Sequence, residues 1–359
     1  MRPGLLWPVA WPVPTPCPLP MRSTRCWAEN HDSPRGSSMT GSDRRIRIWI
    51  DRTPPSEVVI PPDAELVDGP EDADGVVVAA DRPWDDDACR RFPNLKVVAR
   101  SGIGYDNVDV AACAAHGVAA CNTPDAPTVS TAEHALALML AVAKRLKGSE
   151  ARLAAGTAGG PGRLAGPGAL ELDGRNLGLV GCGRIGSLLG RYAEALGMDV
   201  LVYDPYLEAA PVGELVDLDQ LWAKADVVSL HAPATPETRH IINSDSLGAM
   251  RPGVIIINCA RGALVDQEAL LAALDSGHLG GAGLDVTEPE PLPPGHPLLG
   301  RDNVVVTPHV ASTTSVGIVR LIAQAVEQAL IWLRGGIPEH LLDPAAAHPG
   351  VDRRTSTAP

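Results

Sequence analysis

The amino-acid sequence predicts an α/β protein made of two parallel-sheet units. Short apolar runs alternate with helical candidates between residues 46 and 121, and the alternation restarts at 177 and continues to 307. A third observation specifies the second unit. Residues 176–204, NLGLVGCGRIGSLLGRYAEALGMDVLVYD, run strand, G-x-G-x-x-G turn, helix, strand and terminal acid in that order. At 359 residues the chain has room for two sizeable cores.

The bulk properties exclude some partners. A net charge of −13 and a pI near 5.2 weigh against nucleic acid or an acidic membrane surface. Aromatic residues make up only 3%, so Ala, Val and Leu must build the cores. No run approaches the ~18–20 apolar residues of a membrane span. The cysteines at 17, 26, 89, 113, 121, 182 and 259 form no CxxC pair and no zinc-type spacing. No metal site is expected, and reduced thiols in a cytoplasmic protein are.

Residues 1–43 read unlike the rest. Met1–Pro20 is dense in Pro and Trp, and residues 22–45 are rich in Ser, Arg and Gly. Prolines at 8, 12, 14, 16, 18 and 20 break any signal-peptide h-region. A disordered extension is expected, with Met39 as an alternative start that an intact mass would test. Strands are expected at 46–50, 75–80, 96–99 and 118–121, and helices at 85–92 and 109–116. Ala132, Ala135, Leu136, Met139, Leu140 and Ala143 recur on a helical period and predict one helix over 128–147 that crosses between the units. Residues 154–168, full of Gly, Ala and Pro, read as a loop. Six further strands are expected at 177–181, 199–204, 226–231, 254–259, 281–286 and 304–307, a doubly wound plan. An amphipathic helix over 316–333 returns to the first unit, and the tail from 344 to 359 is expected to be disordered.

Each part of the glycine stretch has a physical use at a dinucleotide. Gly181 permits a tight turn, Gly183 lets backbone approach a pyrophosphate, and Gly186 lets helix and strand pack closely. The helix start offers unpaired N–H groups to phosphate. Asp204, about 18 residues past the last glycine, can accept both hydroxyls of a ribose. The competing reading is a structural glycine turn in some other α/β sheet.

Ligands of open α/β sheets bind at the carboxyl ends of the strands. Just past the expected strand ends stand Gly181, Asp204, His231, Arg261, Asp285, Glu290 and His309. Three of them suit hydride transfer between a nicotinamide and an α-hydroxy or α-keto acid. Arg261 offers a planar fork for a carboxylate. His309 can give or take the proton. Glu290 can orient the imidazole and favour its protonated form. Singly, such an Arg is more often a salt-bridge partner and such a His a packed residue. Their joint place on one edge is what points to chemistry.

These residues stand in a longer series of motifs: Ser101-Gly-Ile-Gly-Tyr-Asp-Asn-Val-Asp109, Asn122-Thr-Pro124 leading to Ala132-Glu133, the glycine loop, His231-Ala-Pro-Ala-Thr-Pro-Glu-Thr238, Asn258-Cys-Ala-Arg-Gly-Ala-Leu-Val-Asp266, Gly283-Leu-Asp-Val-Thr-Glu-Pro-Glu-Pro291 and Thr307-Pro-His309. The series, covering roughly 46–340, resembles the D-isomer-specific 2-hydroxyacid dehydrogenases. The resemblance implies two Rossmann-like doubly wound domains with a cleft between them. A discontinuous substrate domain would span 44–148 and 309–343, and an NAD-binding domain 149–308. The family's catalytic Arg, Glu and His fall on Arg261, Glu290 and His309, with Glu288 as the other candidate acid. Its substrate-carboxylate loop falls on Ile103 and Gly104. Its NAD contacts fall on Arg184, Ile185, Asp204, Ala232, Pro233, Cys259, Ala260 and Asp285. The resemblance also implies a homodimer joined through the cofactor domain.

Departures from family patterns narrow the branch. A Gln stands at Glu290 in formate dehydrogenases and a Lys at Ile103 in phosphite-oxidising relatives, so neither substrate is expected. No regulatory domain is expected after 343, which leaves a core-only phosphoglycerate dehydrogenase or a glyoxylate/hydroxypyruvate reductase. Asp204 followed by Pro205-Tyr206, with no adjacent Arg, favours NAD over NADP. The alternative from another class is a dinucleotide-sensing protein like the C-terminal-binding-protein corepressors, which resemble Tyr203–Leu207 but carry a Trp where this chain has Ser312. Arg82 and the 101–105 loop are the expected selectivity elements. His116, His134, His278, His296, His340 and His348 are read as structural or surface residues, and His231 as a loop-holding residue.

Overall fold

The computed structural model describes residues 44–157 and 169–342. The expectations for 1–43, most of the 154–168 loop and the tail from 343 lie outside the described residues. The first sheet contains β1 (Ile46–Ile50), β2 (Ala64–Leu66), β3 (Gly75–Val78), β4 (Val97–Arg100) and β5 (Ala119–Cys121), all parallel, in the order β2-β1-β3-β4-β5. The second contains β6 (Asn176–Val180), β7 (Asp199–Tyr203), β8 (Glu214–Leu215), β9 (Val227–Leu230), β10 (Val254–Asn258), β11 (Leu279–Leu284) and β12 (Val304–Val306), also parallel, in the order β12-β11-β10-β9-β6-β7-β8. Both orders are doubly wound plans. The structure therefore adds two short strands to the expected set: β2, and β8, which makes the second sheet seven-stranded rather than six.

Helices cover both faces of each sheet, which is why the strands read as nearly continuous apolar runs. They are α1 (Asp86–Arg91), α2 (Val110–Ala115), α3 (Thr128–Ala143), α4 (Leu146–Ala154), α5 (Arg184–Ala195), α6 (Leu218–Lys224), α7 (Ser244–Ala249), α8 (Gln267–Asp275) and α9 (Ser315–Leu333). Alternate β4 residues split between the two sides of the first sheet. Val97 and Ala99 pack with Ile322, Ala325, Val326 and Ala329 of α9, whereas Val98 packs with Cys89 and Cys113 of α1 and α2. The last helix thus returns to the first sheet. By length and composition α9 could also cross a bilayer, at a mean hydropathy of 1.5, but its apolar face covers this sheet.

The helix expected over 128–147 is two helices. Arg145 sits in the left-handed region at φ 55° and separates α3 from α4. No Gly or Pro marks the break, and Leu146 continues the apolar periodicity that concealed it. Ala135, Leu138, Met139 and Val142 of α3 lie in the core of the second sheet, so the expected domain boundary at 148 falls after a helix packed on that sheet. Glycines in β11 allow the contact: a Cβ at Gly281 would lie 2.6 Å from Val142, and one at Gly283 2.9 Å from Leu138.

Candidate active site

Because all strands of the second sheet are parallel, their carboxyl ends share one edge, and β6 and β9 are the neighbours at which the strand order reverses. Gly181 leaves β6 at φ +90°, and a Cβ there would meet the His231 carbonyl and the Ala232 N–H at 2.9 Å. A Cβ at Gly186 would come within 2.5 Å of the Gly181 carbonyl oxygen, whereas one at Gly183 would meet nothing within 4 Å. The turn is tight below and open above. Helices α1, α2, α6, α7, α8 and α9 begin on an Asp, Asn or Thr whose side chain accepts from the first turn; α5 begins at Gly183 with no side-chain cap. Its first-turn donors at Arg184, Ile185 and Gly186 are thus free of side-chain capping, and the loop fits a pyrophosphate.

Asp204 follows β7 directly and ties the loop down. Its carboxylate accepts from the Cys182 N–H at 2.9 Å and from the Tyr206 N–H at 3.1 Å. Each oxygen keeps a lone pair for a ribose hydroxyl. Burial, with Asp204 beside it, pushes the Cys182 thiol up to about 11. Arg184 turns toward the β5–α3 connection, where its Nε donates to Asp125 at 2.6 Å; the other Asp125 oxygen lies 3.1 Å from His340 Nε2. Ala232 and Pro233 follow β9, with the Pro233 carbonyl held by the Thr238 hydroxyl at 2.6 Å. His231 turns inward onto Ser229 Oγ at 2.9 Å, and desolvation lowers its pKa to about 4.

Past β10, Cys259, Ala260 and Arg261 form a turn braced by the fully buried Asn258. Its Oδ1 accepts from the Ala260 N–H at 3.0 Å and its Nδ2 donates to the Arg261 carbonyl at 2.8 Å. Burial, with Asp285 nearby, raises the Cys259 thiol pKa, which favours the neutral thiol. Arg261 reaches the loop that follows β4 of the first sheet. Its Nε donates to Asp106 at 2.7 Å, its Nη1 to the Ala260 carbonyl at 2.7 Å, and Nη2 lies where a Cβ on Gly104 would be. That loop is braced in turn: the Gly102 carbonyl accepts from the Thr123 N–H at 3.0 Å and the Ile103 carbonyl from Asn122 Nδ2 at 2.7 Å. Beneath it Arg100 is buried, and desolvation, with Arg261 nearby, lowers its pKa to about 10.

Glu290 and His309 meet directly, with Oε1 2.6 Å from Nδ1. Glu288 points elsewhere, 3.4 Å from Arg239. A Cβ on Gly262 would collide with the Thr287 carbonyl, so the turn carrying Arg261 packs against the loop that leads to Glu290. Asp285, expected as a cofactor contact, is almost wholly buried. Oδ1 accepts from Thr307 Oγ1 at 2.5 Å and the Val310 N–H at 2.9 Å, and Oδ2 accepts from the Ala311 N–H at 2.9 Å. Burial alone would raise its pKa; the hydrogen bonds from His134, Thr307, Val310 and Ala311 outweigh that and lower it. Sequence reasoning did not single out Asp106, Asn258, Asp125 or Thr307, although Asp106, Asn258 and Thr307 lie inside the quoted motifs. Among the described residues no cluster of His, Cys, Asp and Glu could hold a metal ion.

Comparison with known proteins identifies the family. Residues 136–311 match the family model described as D-isomer specific 2-hydroxyacid dehydrogenase, NAD binding domain. The chain is 37% identical to a glyoxylate reductase of Korarchaeum cryptofilum over 316 residues, covering 86% of this chain and 92% of that protein. It is 39% identical over 284 residues to a D-3-phosphoglycerate dehydrogenase of Methanocaldococcus jannaschii, covering 78% of this chain but only 53% of that protein. Among solved structures, the D-lactate dehydrogenase of Aquifex aeolicus, complexed with NAD and lactic acid, superposes with a TM-score of 0.71 at 29% identity, over 82% of this chain and 98% of that one. The TT0316 protein of Thermus thermophilus gives a TM-score of 0.75 at 40% identity, over 83% and 100%. The corepressor alternative finds no support among these relatives.

Proposed function

Because this chain belongs to the D-isomer-specific 2-hydroxyacid dehydrogenases, NAD-dependent oxidoreductases acting on CH–OH groups, we propose that Arg261, Glu290 and His309 carry its chemistry on a small 2-hydroxy or 2-keto acid. NAD supplies or accepts the hydride. Arg261, oriented through Asp106, clamps the substrate carboxylate together with the backbone N–H groups of Ile103 and Gly104 and polarises the neighbouring carbonyl. A carboxylate can only accept, so ionised Glu290 assigns the Nδ1 proton of His309 and leaves Nε2 facing the reacting oxygen. His309 then protonates that oxygen in reduction and deprotonates the hydroxyl in oxidation. The observation that carries the proposal is the 2.6 Å Glu290–His309 contact on the edge that also holds the glycine loop and Arg261.

For the substrate, similarity to a glyoxylate reductase and to D-3-phosphoglycerate dehydrogenases supports glyoxylate, hydroxypyruvate or 3-phosphoglycerate. At the carboxyl ends of β1, β3 and β4, Arg52 pairs with Asp51 and Asp81, Arg82 lies 3.9 Å from Asp51, and buried Arg100 keeps an Nε with no hydrogen-bond partner. We also place a substrate domain in 44–148 and 309–343 and an NAD domain in 149–308 of a cytoplasmic homodimer, which light scattering would test. Steady-state turnover with NADH against glyoxylate, hydroxypyruvate and pyruvate, and with NAD against 3-phosphoglycerate, tests the function. Cofactor binding without turnover of any 2-keto or 2-hydroxy acid would overturn it.

A further inference from the structure

His309 is one of three non-glycine residues among those described with a left-handed backbone, at φ 53°. Such a conformation persists in a non-glycine residue only where its surroundings over-determine it. Here Asp285 supplies the determination. The His309 N–H donates to the Asp285 carbonyl at 2.8 Å, and the next two N–H groups, of Val310 and Ala311, donate to its carboxylate. The carboxylate is itself placed from behind by Thr307 Oγ1 at 2.5 Å. Thr307 has one hydroxyl proton, and an ionised carboxylate can only accept, so that proton points to Asp285. The hydroxyl oxygen is then an acceptor for His134 Nε2, 2.9 Å away, which must carry the proton; the same nitrogen lies 3.4 Å from Asp285 Oδ1. His134 belongs to α3, whose docking over Gly281 and Gly283 sets its height above the sheet.

We propose that His134 and Thr307 are positioning residues that hold the acid–base histidine in place through Asp285. The chain runs from His134 to Thr307 to the Asp285 carboxylate to the backbone of residues 309–311. Neither residue touches the reacting atoms. With this chain intact, the His309 ring meets Glu290 and the substrate at fixed geometry; without it, Asp285 loses its rear donor and the left-handed turn relaxes. The inference rests on the reading of His309 as the proton donor and adds to it.

Isosteric pairs test it. Thr307→Val removes the hydroxyl and keeps the shape, and Thr307→Ser restores the hydroxyl. His134→Leu removes the donor, and His134→Gln restores one. We expect Thr307→Val and His134→Leu to lower kcat by about 10- to 100-fold, the cost of misplacing a reacting group by up to ~1 Å. NADH affinity by fluorescence should stay within about 3-fold, and the Thr307→Ser and His134→Gln variants should return to within about 3-fold of the parent, since each keeps the interaction. The Thr307→Val, His134→Leu double variant should be no slower than the worse single variant by more than about 3-fold, as expected for two members of one chain. Unchanged kcat, loss of NADH affinity in step with kcat, or failure of both conservative variants to recover would each overturn the inference. If Thr307→Val does not fold, the His134 pair gives the answer. His309→Gln separates the two readings: an active His309→Gln enzyme removes the role of His309 itself, whereas an inactive one beside a normal Thr307→Val enzyme removes only the positioning chain.

Discussion

Oε1 of Glu290 lies 2.6 Å from Nδ1 of His309, while Glu288, two residues earlier, pairs with Arg239 at 3.4 Å. Two glutamates in one short loop are thereby separated into Glu290, which meets the His309 imidazole, and Glu288, which faces Arg239 and His240 instead. Glu290→Gln should lower kcat by about 10²-fold, because an amide can stabilise the wrong tautomer and does not balance an imidazolium. Glu288→Gln should leave kcat within about 2-fold, as for an exposed ion pair. Stopped-flow and steady-state assays of the two variants check this; equal losses would break the assignment.

Arg261 bridges the two sheets through Asp106, a contact that on the proposed role would hold its fork in place for a substrate carboxylate. Arg261→Lys should lower kcat/KM by about 10²-fold or more, within the 2–5 kcal/mol range for removing one partner of a hydrogen-bonded charge pair. Asp106→Asn should raise KM for the keto acid more than it lowers kcat, since it loosens the aim without removing the cation. Initial-rate measurements over substrate concentration distinguish these effects.

Asp204 has two structural partners in the turn as well as an expected ribose contact. Asp204→Ala should therefore raise KM for NADH and narrow the preference for NADH over NADPH. A parent enzyme that already prefers NADPH would refute the ribose argument.

His231 predicts a pH dependence of stability. Its folded-state pKa is lowered from 6.5 to about 4 by desolvation. As pH falls from 6.5 toward 4, the unfolded chain takes up a proton that the folded chain refuses, so stability declines across that window and is recovered above 6.5. His231→Asn should flatten this part of a Tm-against-pH curve. A parental curve flat over the same window would count against a desolvated, neutral His231 ring.

The parallel-sheet plan and the placing of reactive groups at strand ends were legible because both depend on local patterns. Apolar runs of strand length, a glycine turn whose backbone conformation a side chain would obstruct, and an acid at the next strand end can all be read within some 30 residues of chain. The short strands β2 and β8 escaped for the same reason: three and two residues carry no periodicity, and both β8 residues are exposed. The break at Arg145 escaped because the apolar pattern runs across it and a left-handed arginine has no sequence signature.

Side-chain pairing followed a different logic. Residue types at the carboxyl edge named Arg261, Glu290 and His309 as candidates. Which atoms meet depended on separations of 155 residues for Arg261–Asp106 and 173 for His134–Thr307. Those contacts exist because α3 settles onto glycines of β11, because the loop after β4 reaches across to β10, and because three successive N–H groups converge on Asp285. Local sequence sets backbone form and the kind of chemistry available. The hydrogen-bond geometry that places His309 arises only when distant segments are packed together, since a donor and an acceptor that far apart in the chain are brought within reach by the fold alone.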